Sequence, residues 1–390
     1  MPINFQQIRA AIQKFGETAP TQAKLREKNL ATALRQLDEF NQELEVLGQL
    51  LDTALAANPD LRIAIPTHET LDLSPAVHLP PPACVLLAAD GSQIIPDQHQ
   101  ALQFGVINVG MLRMQPGSIP SEHIESELLY AEKILNEQGF LLGEELIALQ
   151  RDYQERRHLL NAAELEEQPV LTLTDGPLEI YREGRESAEY QRLLDDYLDT
   201  LGKMAHQGVL TAGYVDKPRS NLVVRLLELT LLPADKLREA GRERPLPDIP
   251  DAYLFAHTLA PGQRSALFQL HSRSAQHFQG PLAIHFFYLN IGREGKPQIA
   301  RVEIPAWVVQ QPENIALIHA HLLDQCQVMG ANAYPYILHR AHELALVSYS
   351  EREHLLTLLQ QTLLNQGLDM GAKSSKQTLK DLQGKTRYRR

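Results

Sequence analysis

The stretch Ala83-Cys84-Val85-Leu86-Leu87-Ala88-Ala89-Asp90-Gly91-Ser92 is an unbroken apolar run that stops at an acid and a glycine. A half-exposed strand would alternate, so a continuous run predicts a central strand covered on both faces. The same design recurs at Val170-Leu171-Thr172-Leu173-Thr174-Asp175-Gly176, and a third apolar segment, 209–215, runs into Asp216-Lys217-Pro218-Arg219-Ser220. Segments with helical spacing lie between and after them, at 143–165, 190–207 and from Ser220 to about Leu231. Further strands are expected at 101–114, 282–289 and 299–304, and further helices at 121–135, 312–329 and 341–364. Pro312 stands where the first turn of its helix would begin. Strands followed by helices, with some antiparallel neighbours, predict an α/β fold: a mixed sheet flanked by helices.

Outward from this centre, residues 1–60 read as a long N-terminal helical region. Leu30, Leu34, Leu37, Phe40, Leu44, Leu47 and Leu51 recur at spacings of three and four and so share one face. Such a stripe needs a cover. Packing on the chain's own core is favoured over dimerisation, because no polar residue at a core heptad position sets a coiled-coil register. Residues 61–82, with Pro66, Pro75, Pro80, Pro81 and Pro82, read as a proline-rich linker. A main domain is expected over 83–370, with an excursion around the core near 233–280. The tail, 371–390, sets Lys373, Lys376, Lys380, Lys385, Arg387, Arg389 and Arg390 against a lone Asp381, a composition suited to phosphates or an acidic partner.

A chain of 390 residues accommodates two or three domains, or one enlarged α/β domain. Lys plus Arg total 37 against 48 Asp plus Glu, a formal net charge of −11. That balance argues against DNA being coated by the whole surface and leaves room for a local basic channel. Two cysteines, Cys84 and Cys326, supply neither a disulfide framework nor a four-thiolate zinc site. No basic region leads into an apolar run at the start, and no run approaches the ~20 apolar residues that span a bilayer. A soluble cytoplasmic protein without a membrane partner is therefore expected.

Ligands in open α/β sheets collect outside the carboxyl ends of the strands. Asp90 and Asp175 are each expected there, with the following glycine permitting a tight turn; two plain Asp-Gly turns are the bland alternative. Paired carboxylates repel in a low dielectric, and a divalent cation relieves that repulsion. Oxygen ligands suit Mg²⁺ or Mn²⁺, whereas zinc would recruit more histidine or cysteine. Glu155, on the helix leading towards Asp175, is a third acid, although Asp152, three residues earlier, is an equal candidate for the inward position. His342, expected at the opening of the last helix, could bind metal or orient a phosphate, with His339 and Glu343 as competitors among 15 histidines. Lys217 could neutralise charge developing on phosphate and Arg219 could clamp the backbone; Asp216 is either another ligand or the salt partner of Lys217. Ser92 is expected to hydrogen-bond the turn or an adjacent acid rather than act as a nucleophile. The sequence has no Gly-rich nucleotide loop with Lys-Ser or Lys-Thr, no His-Glu-x-x-His helix and no Gly-x-Ser-x-Gly turn. Metal-assisted phosphodiester hydrolysis is the chemistry that best matches these acids, the histidine and the nearby cations.

Taken in order, these pieces resemble the NurA nuclease family. The matching segments are Ala88-Ala89-Asp90-Gly91-Ser92, Arg151-Asp152-x-x-Glu155, Leu173-Thr174-Asp175-Gly176-Pro177-Leu178, Gly213-Tyr214-Val215-Asp216-Lys217-Pro218-Arg219-Ser220, and Tyr334-Pro335 leading to Ala341-His342. The resemblance extends from about residue 83 to residue 360. It implies an RNase H-like core and a Mn²⁺-dependent nuclease, with Mg²⁺ as the other candidate ion. It further implies 5′-to-3′ exonuclease action on DNA, single-strand endonuclease action in some members, a ring-like homodimer, and work beside a HerA-type hexameric translocase in DNA end processing and repair. Carried over by residue, Asp90, Glu155, Asp175 and His342 are the implied metal-centred set and Lys217 the implied catalytic cation. Two positions depart from the pattern: Pro177 and Asp216 stand where small polar residues are usual. A small-substrate phosphatase and a catalytically silent DNA-end-binding scaffold are the competing readings.

Overall fold

The computed structural model describes residues 4–96, 103–167, 169–180, 187–330 and 332–367. The basic tail, 371–390, lies outside the described residues. Among these residues nine strands form one sheet: β1 (Ile63–Pro66), β2 (Val85–Ile94), β3 (Gly105–Met114), β4 (Ser121–Leu129), β5 (Val170–Asp175), β6 (Leu210–Val215), β7 (Phe268–His271), β8 (Ile284–Asn290) and β9 (Ile299–Pro305). Their order is β1-β7-β8-β9-β6-β5-β2-β3-β4. The helices are α1 (Phe5–Glu39), α2 (Leu44–Ala57), α3 (Glu144–Ala163), α4 (Ala188–His206), α5 (Leu222–Leu229), α6 (Asp251–Phe255), α7 (Ala306–Val309), α8 (Pro312–Val328), α9 (Tyr336–Ala345) and α10 (Tyr349–Asn365).

β2 is the central strand that its sequence predicts. Val85, Leu87 and Ala89 enter one core with α3 and α4, while Cys84, Leu86 and Ala88 enter another with α8 and α9. Successive side chains of a strand point to opposite faces, so an uninterrupted apolar run supplies both layers at once. β2 pairs antiparallel with β3, and β3 with β4; β5 and β6 then join in parallel on the other side of β2. The succession of β2-β3-β4, α3, β5, α4 and β6 is the RNase H-like arrangement, extended beyond β6 by β9, β8, β7 and β1.

Four expectations change. The segment 121–135, rich in Glu and Leu, is mainly a strand, with only a 3-10 turn at Ala131–Ile134: β4 pairs along β3 from Ser121↔Arg113 to Leu129↔Gly105. Ladder pairing outweighs the modest helix preference of its residues, and the charged outer strand is a poor template for a further chain. The final helix of 341–364 is two helices, because Leu346 is extended (φ −60°, ψ 124°) and Ser348 restarts α10 with a capping box to Glu351. The linker of 61–82 contributes β1, whose Ile63 and Ala64 are buried against the core and whose residues pair with β7. β7 itself comes from the excursion of 233–280, so both segments extend the sheet rather than bypass it. In the N-terminal region, Leu30, Ala33 and Leu37 of α1 and Leu47, Leu51 and Ala54 of α2 join the core, while Phe5, Ile8, Ile12 and Phe15 are exposed. No helix among the described residues is long and apolar enough to cross a membrane.

Asp251 joins distant parts of this framework. Fully buried, it accepts hydrogen bonds from Val223 N (3.1 Å), Val224 N (2.8 Å) and the Tyr288 hydroxyl (2.6 Å). It thereby caps α5, whose own N-cap Asn221 makes no such bond. Asp251→Ala leaves these donors unpaired in the core and is expected to cost about 2 kcal/mol or more. Denaturant unfolding at constant m-value measures this; a change under about 0.5 kcal/mol, ordinary for a surface substitution, would refute it.

Candidate active site

The parallel pairing of β2 and β5 ends at Ala89↔Thr174, so Asp90 and Asp175 occupy equivalent positions just beyond it. Ala89 lies in the core beside α3, and the next side chain on each strand faces the opposite way, towards α9. The two acids therefore share one face. Asp175 closes β5, and Gly176 has φ +95°, the left-handed turn expected of Asp-Gly. Asp90 differs. β2 continues through Asp90-Gly91-Ser92 to Ile94, with Asp90 opposite Gly110, so no turn follows it.

Gly91 has a different purpose. A Cβ there would lie 2.5 Å from Arg151 Cγ and 2.7 Å from Glu155 Oε1, so its absence lets α3 approach the strand. Gly110 does the same for α9: a Cβ would fall 2.5 Å from Ala345 N and 2.6 Å from Leu344 Cβ. The Ala345 carbonyl then accepts Ser92 Oγ at 2.5 Å and Asn108 Nδ2 at 2.8 Å. Ser92 thus anchors a helix end, rather than a turn or an acid. One turn back, His342 sets Nδ1 2.5 Å from Asp90 Oδ2, from the last turn of α9 rather than a helix opening. Its competitors are engaged elsewhere: His339 Nε2 is 3.5 Å from Glu343 Oε1, and Arg340 bridges Glu343 and Glu122.

On the α3 side, Glu155 is buried and Arg151 Nε stands 3.3 Å from its Oε1. Burial, followed by the charges of Asp152 and Asp90, pushes the Glu155 carboxyl well above the usual range, against the pull of Arg151. Asp152 is held by Arg151 Nη2 at 2.6 Å. Asp175 reaches solvent at the end of β5, yet partial desolvation by the surrounding groups also raises it; its hydrogen bond from Tyr334 opposes the shift, and Asp90 and Asp216 reinforce it. Arg151, Asp152, Glu155 and Asp175 line one cavity of about 260 Å³. A wider groove of about 1290 Å³ starts at Ser92 and Gln93 and runs to Leu346–Arg352.

Asp90 thus touches His342 and lies within electrostatic reach of Glu155 and Asp175, which share the smaller cavity. The four proposed ligands do not form a closed cradle. Among the described residues, the group whose donor atoms all lie within 4.8 Å of one another is His123, Glu125 and His158. Lys217 stands apart, its side chain 77% exposed, 3.3 Å from Asp216 Oδ2. It lines a separate groove of about 630 Å³ with Arg26, Arg293 and Lys296. Arg219 is exposed. The roles of Arg151 and Tyr334 were not read from the sequence. Arg151's place four residues before Glu155 was the available signal.

Residues 84–347 match the family model of the NurA domain. The chain belongs to the NurA family. The crystal structure of the NurA nuclease from Sulfolobus solfataricus superposes with a TM-score of 0.51 at 13% identity, covering 86% of this chain and 99% of that one. The catalytic domain of human Endonuclease V gives a TM-score of 0.33 at 14% identity over 81% of this chain and 98% of that one. No curated protein matches the sequence. In this NurA-family chain the two departures fall at the mouth: Pro177 follows the Asp175 turn, and the buried Oδ1 of Asp216 has no hydrogen-bond partner.

Desolvation raises both Glu155 and Asp175 and the charge of Asp90 adds to each shift, so each takes up its proton at a higher pH than a free carboxyl. Asp90→Asn is expected to move both titrations to lower pH, measured by side-chain carbonyl NMR. Unchanged titrations would show that the three acids do not share a field.

Proposed function

We propose that this NurA-family chain is a divalent-metal-dependent DNA nuclease that hydrolyses phosphodiester bonds in DNA end processing and repair, as a 5′-to-3′ exonuclease with single-strand endonuclease action. The observation that carries this reading is the crowding of Asp90, Glu155 and Asp175 at one mouth, with two of the three resisting ionisation. The donor set fits a hard cation: three carboxylates, one imidazole at Asp90, and the unpartnered Oδ1 of Asp216 beside them. Asp90, Glu155, Asp175 and His342 would hold Mn²⁺, or Mg²⁺ in its place. When bound, such an ion supplies a more acidic water and stabilises the leaving oxygen.

The chain's own groups do the remaining work. Asp90 fixes the His342 ring through Nδ1, leaving Nε2 as the ring atom that would hold the ion. Tyr334 donates to Asp175 and sets its orientation. Arg151 offsets the charge of Asp152 and Glu155 at the back of the mouth. Lys217 and Arg219, exposed beyond β6, suit contact with DNA phosphates away from the reacting atoms. Arg26, Arg293 and Lys296 beside Lys217 supply the local basic surface that a chain of net charge −11 needs to meet DNA. The reading includes a homodimer, supported by the exposed Ile8, Ile12 and Phe15 of α1, a HerA-type hexameric translocase as partner, and work in the cytoplasm.

The test is a purified-protein assay on 5′- and 3′-labelled single- and double-stranded DNA with Mn²⁺, Mg²⁺ or chelator. Cleavage with metal and none with chelator is expected; release of small phosphates without cutting of any oligonucleotide would point to a phosphatase instead. Asp90→Asn and Asp175→Asn are expected to lower the rate by more than roughly 10²-fold, since even outer-shell partners of a metal site are worth 10–100-fold, while thermal melts stay cooperative. Full activity in either folded variant would remove that acid from the site. Lys217→Ala is expected to leave the saturated rate within a few fold and reduce the salt slope of duplex binding by about 0.9, the value of one phosphate contact. A collapse of the saturated rate would instead place Lys217 at the reacting phosphate.

A further inference from the structure

His123 and Glu125 lie two residues apart on β4 and so point to the same face of the sheet. α3 packs against that face and brings His158, one turn beyond Glu155. His158 Nδ1 is 3.5 Å from Glu125 Oε2, and His123 Nε2 is 3.9 Å from the same oxygen. A tetrahedral zinc ion with ligands at about 2.1 Å separates its donors by about 3.4 Å, so these three already stand close to ligand spacing. The opposite oxygen of Glu125 is 3.8 Å from Arg157 Nη2, which orients the carboxylate from behind. The His158 side chain is only 8% exposed, and its Nε2 is buried with no hydrogen-bond partner. Nδ1, the nitrogen that faces Glu125, is therefore the ligand atom, and Nε2 lies on the far side of the ring. His123 and Glu125 are 57% and 49% exposed, leaving an entry path and a fourth position for water.

We propose that His123, Glu125 and His158 form a second metal site that takes Zn²⁺. Two imidazoles and one carboxylate are a zinc-type donor set, unlike the oxygen-rich mouth at Asp90. The ion ties β4 to α3, reinforcing the bond of Gln154 Nε2 to Glu127 Oε2 (2.5 Å) between the same two elements. Because α3 also carries Glu155, the ion acts as a clamp that holds this acid's helix against the sheet. The site shares no residue with the proposed nuclease centre and does not rest on that reading.

The test uses the full chain, stripped with chelator, dialysed and titrated with Zn²⁺ alone, with calorimetry and elemental analysis giving affinity and stoichiometry. One Zn²⁺ per chain is expected, retained in an Asp90→Asn, Asp175→Asn double variant. His123→Asn and Glu125→Gln, both at exposed positions and compatible with folding, are expected to weaken binding by more than about a hundredfold, since even outer-shell losses cost 10–100-fold. Zn²⁺ is expected to raise the melting temperature of the parent and not of these variants. The site is refuted if the parent retains no Zn²⁺, if both exposed variants bind as the parent does, or if the double variant loses the ion.

Discussion

The site depends on two helices touching the sheet backbone at adjacent positions from opposite sides. Gly91 admits α3 and Gly110 admits α9, in each case where a methyl group would come within 3 Å of the helix. The first contact brings Glu155 to the mouth, and the second brings His342 to Asp90. No loop is asked to position either group. Both stand on regular elements pressed against a strand whose registers on either side are fixed by β3 and β5.

The centre of the fold could be read from the sequence because its strands are covered on both faces. The runs at Val85 and Val170 name their environment by composition alone, and the same holds for β8 and β9. β4 was misread because six of its residues face solvent and carry no apolar pattern; only its partner β3 makes it a strand. β1 and β7 are short and lie far apart in sequence, and each gains its identity from the other. The candidate site divides in the same way. Asp175-Gly176 could be read because its turn is local, whereas Gly91 looked identical and serves a contact with Arg151 and Glu155 sixty residues later. Tyr334 and Arg151 act through neighbours that only the folded chain brings near.

Electrostatics binds these parts together. Negative groups from β2, α3, β5 and the end of β6 converge, and the relief comes from Arg151 and Arg156 at Glu155 and from Tyr334 and His342 at Asp175. Arg151 and the more deeply buried Arg156 are cations placed among them, and the bonds of Arg151 to Asp152 and Glu155 leave Asp90 and Asp175 to face the open side. Lys217, paired with Asp216 and turned outward, lines a different groove from the acids of the mouth.

The Ala345 carbonyl has a mechanical consequence. Gripped by Ser92 and Asn108 from neighbouring strands, it pegs the last turn of α9 like a stop on a threaded rod. Advancing the helix by a single residue would carry the imidazole about 1.5 Å along the axis and about 100° around it, out of reach of its carboxylate. The gauge of the histidine is therefore set three residues away, by a backbone oxygen that takes no part in the chemistry.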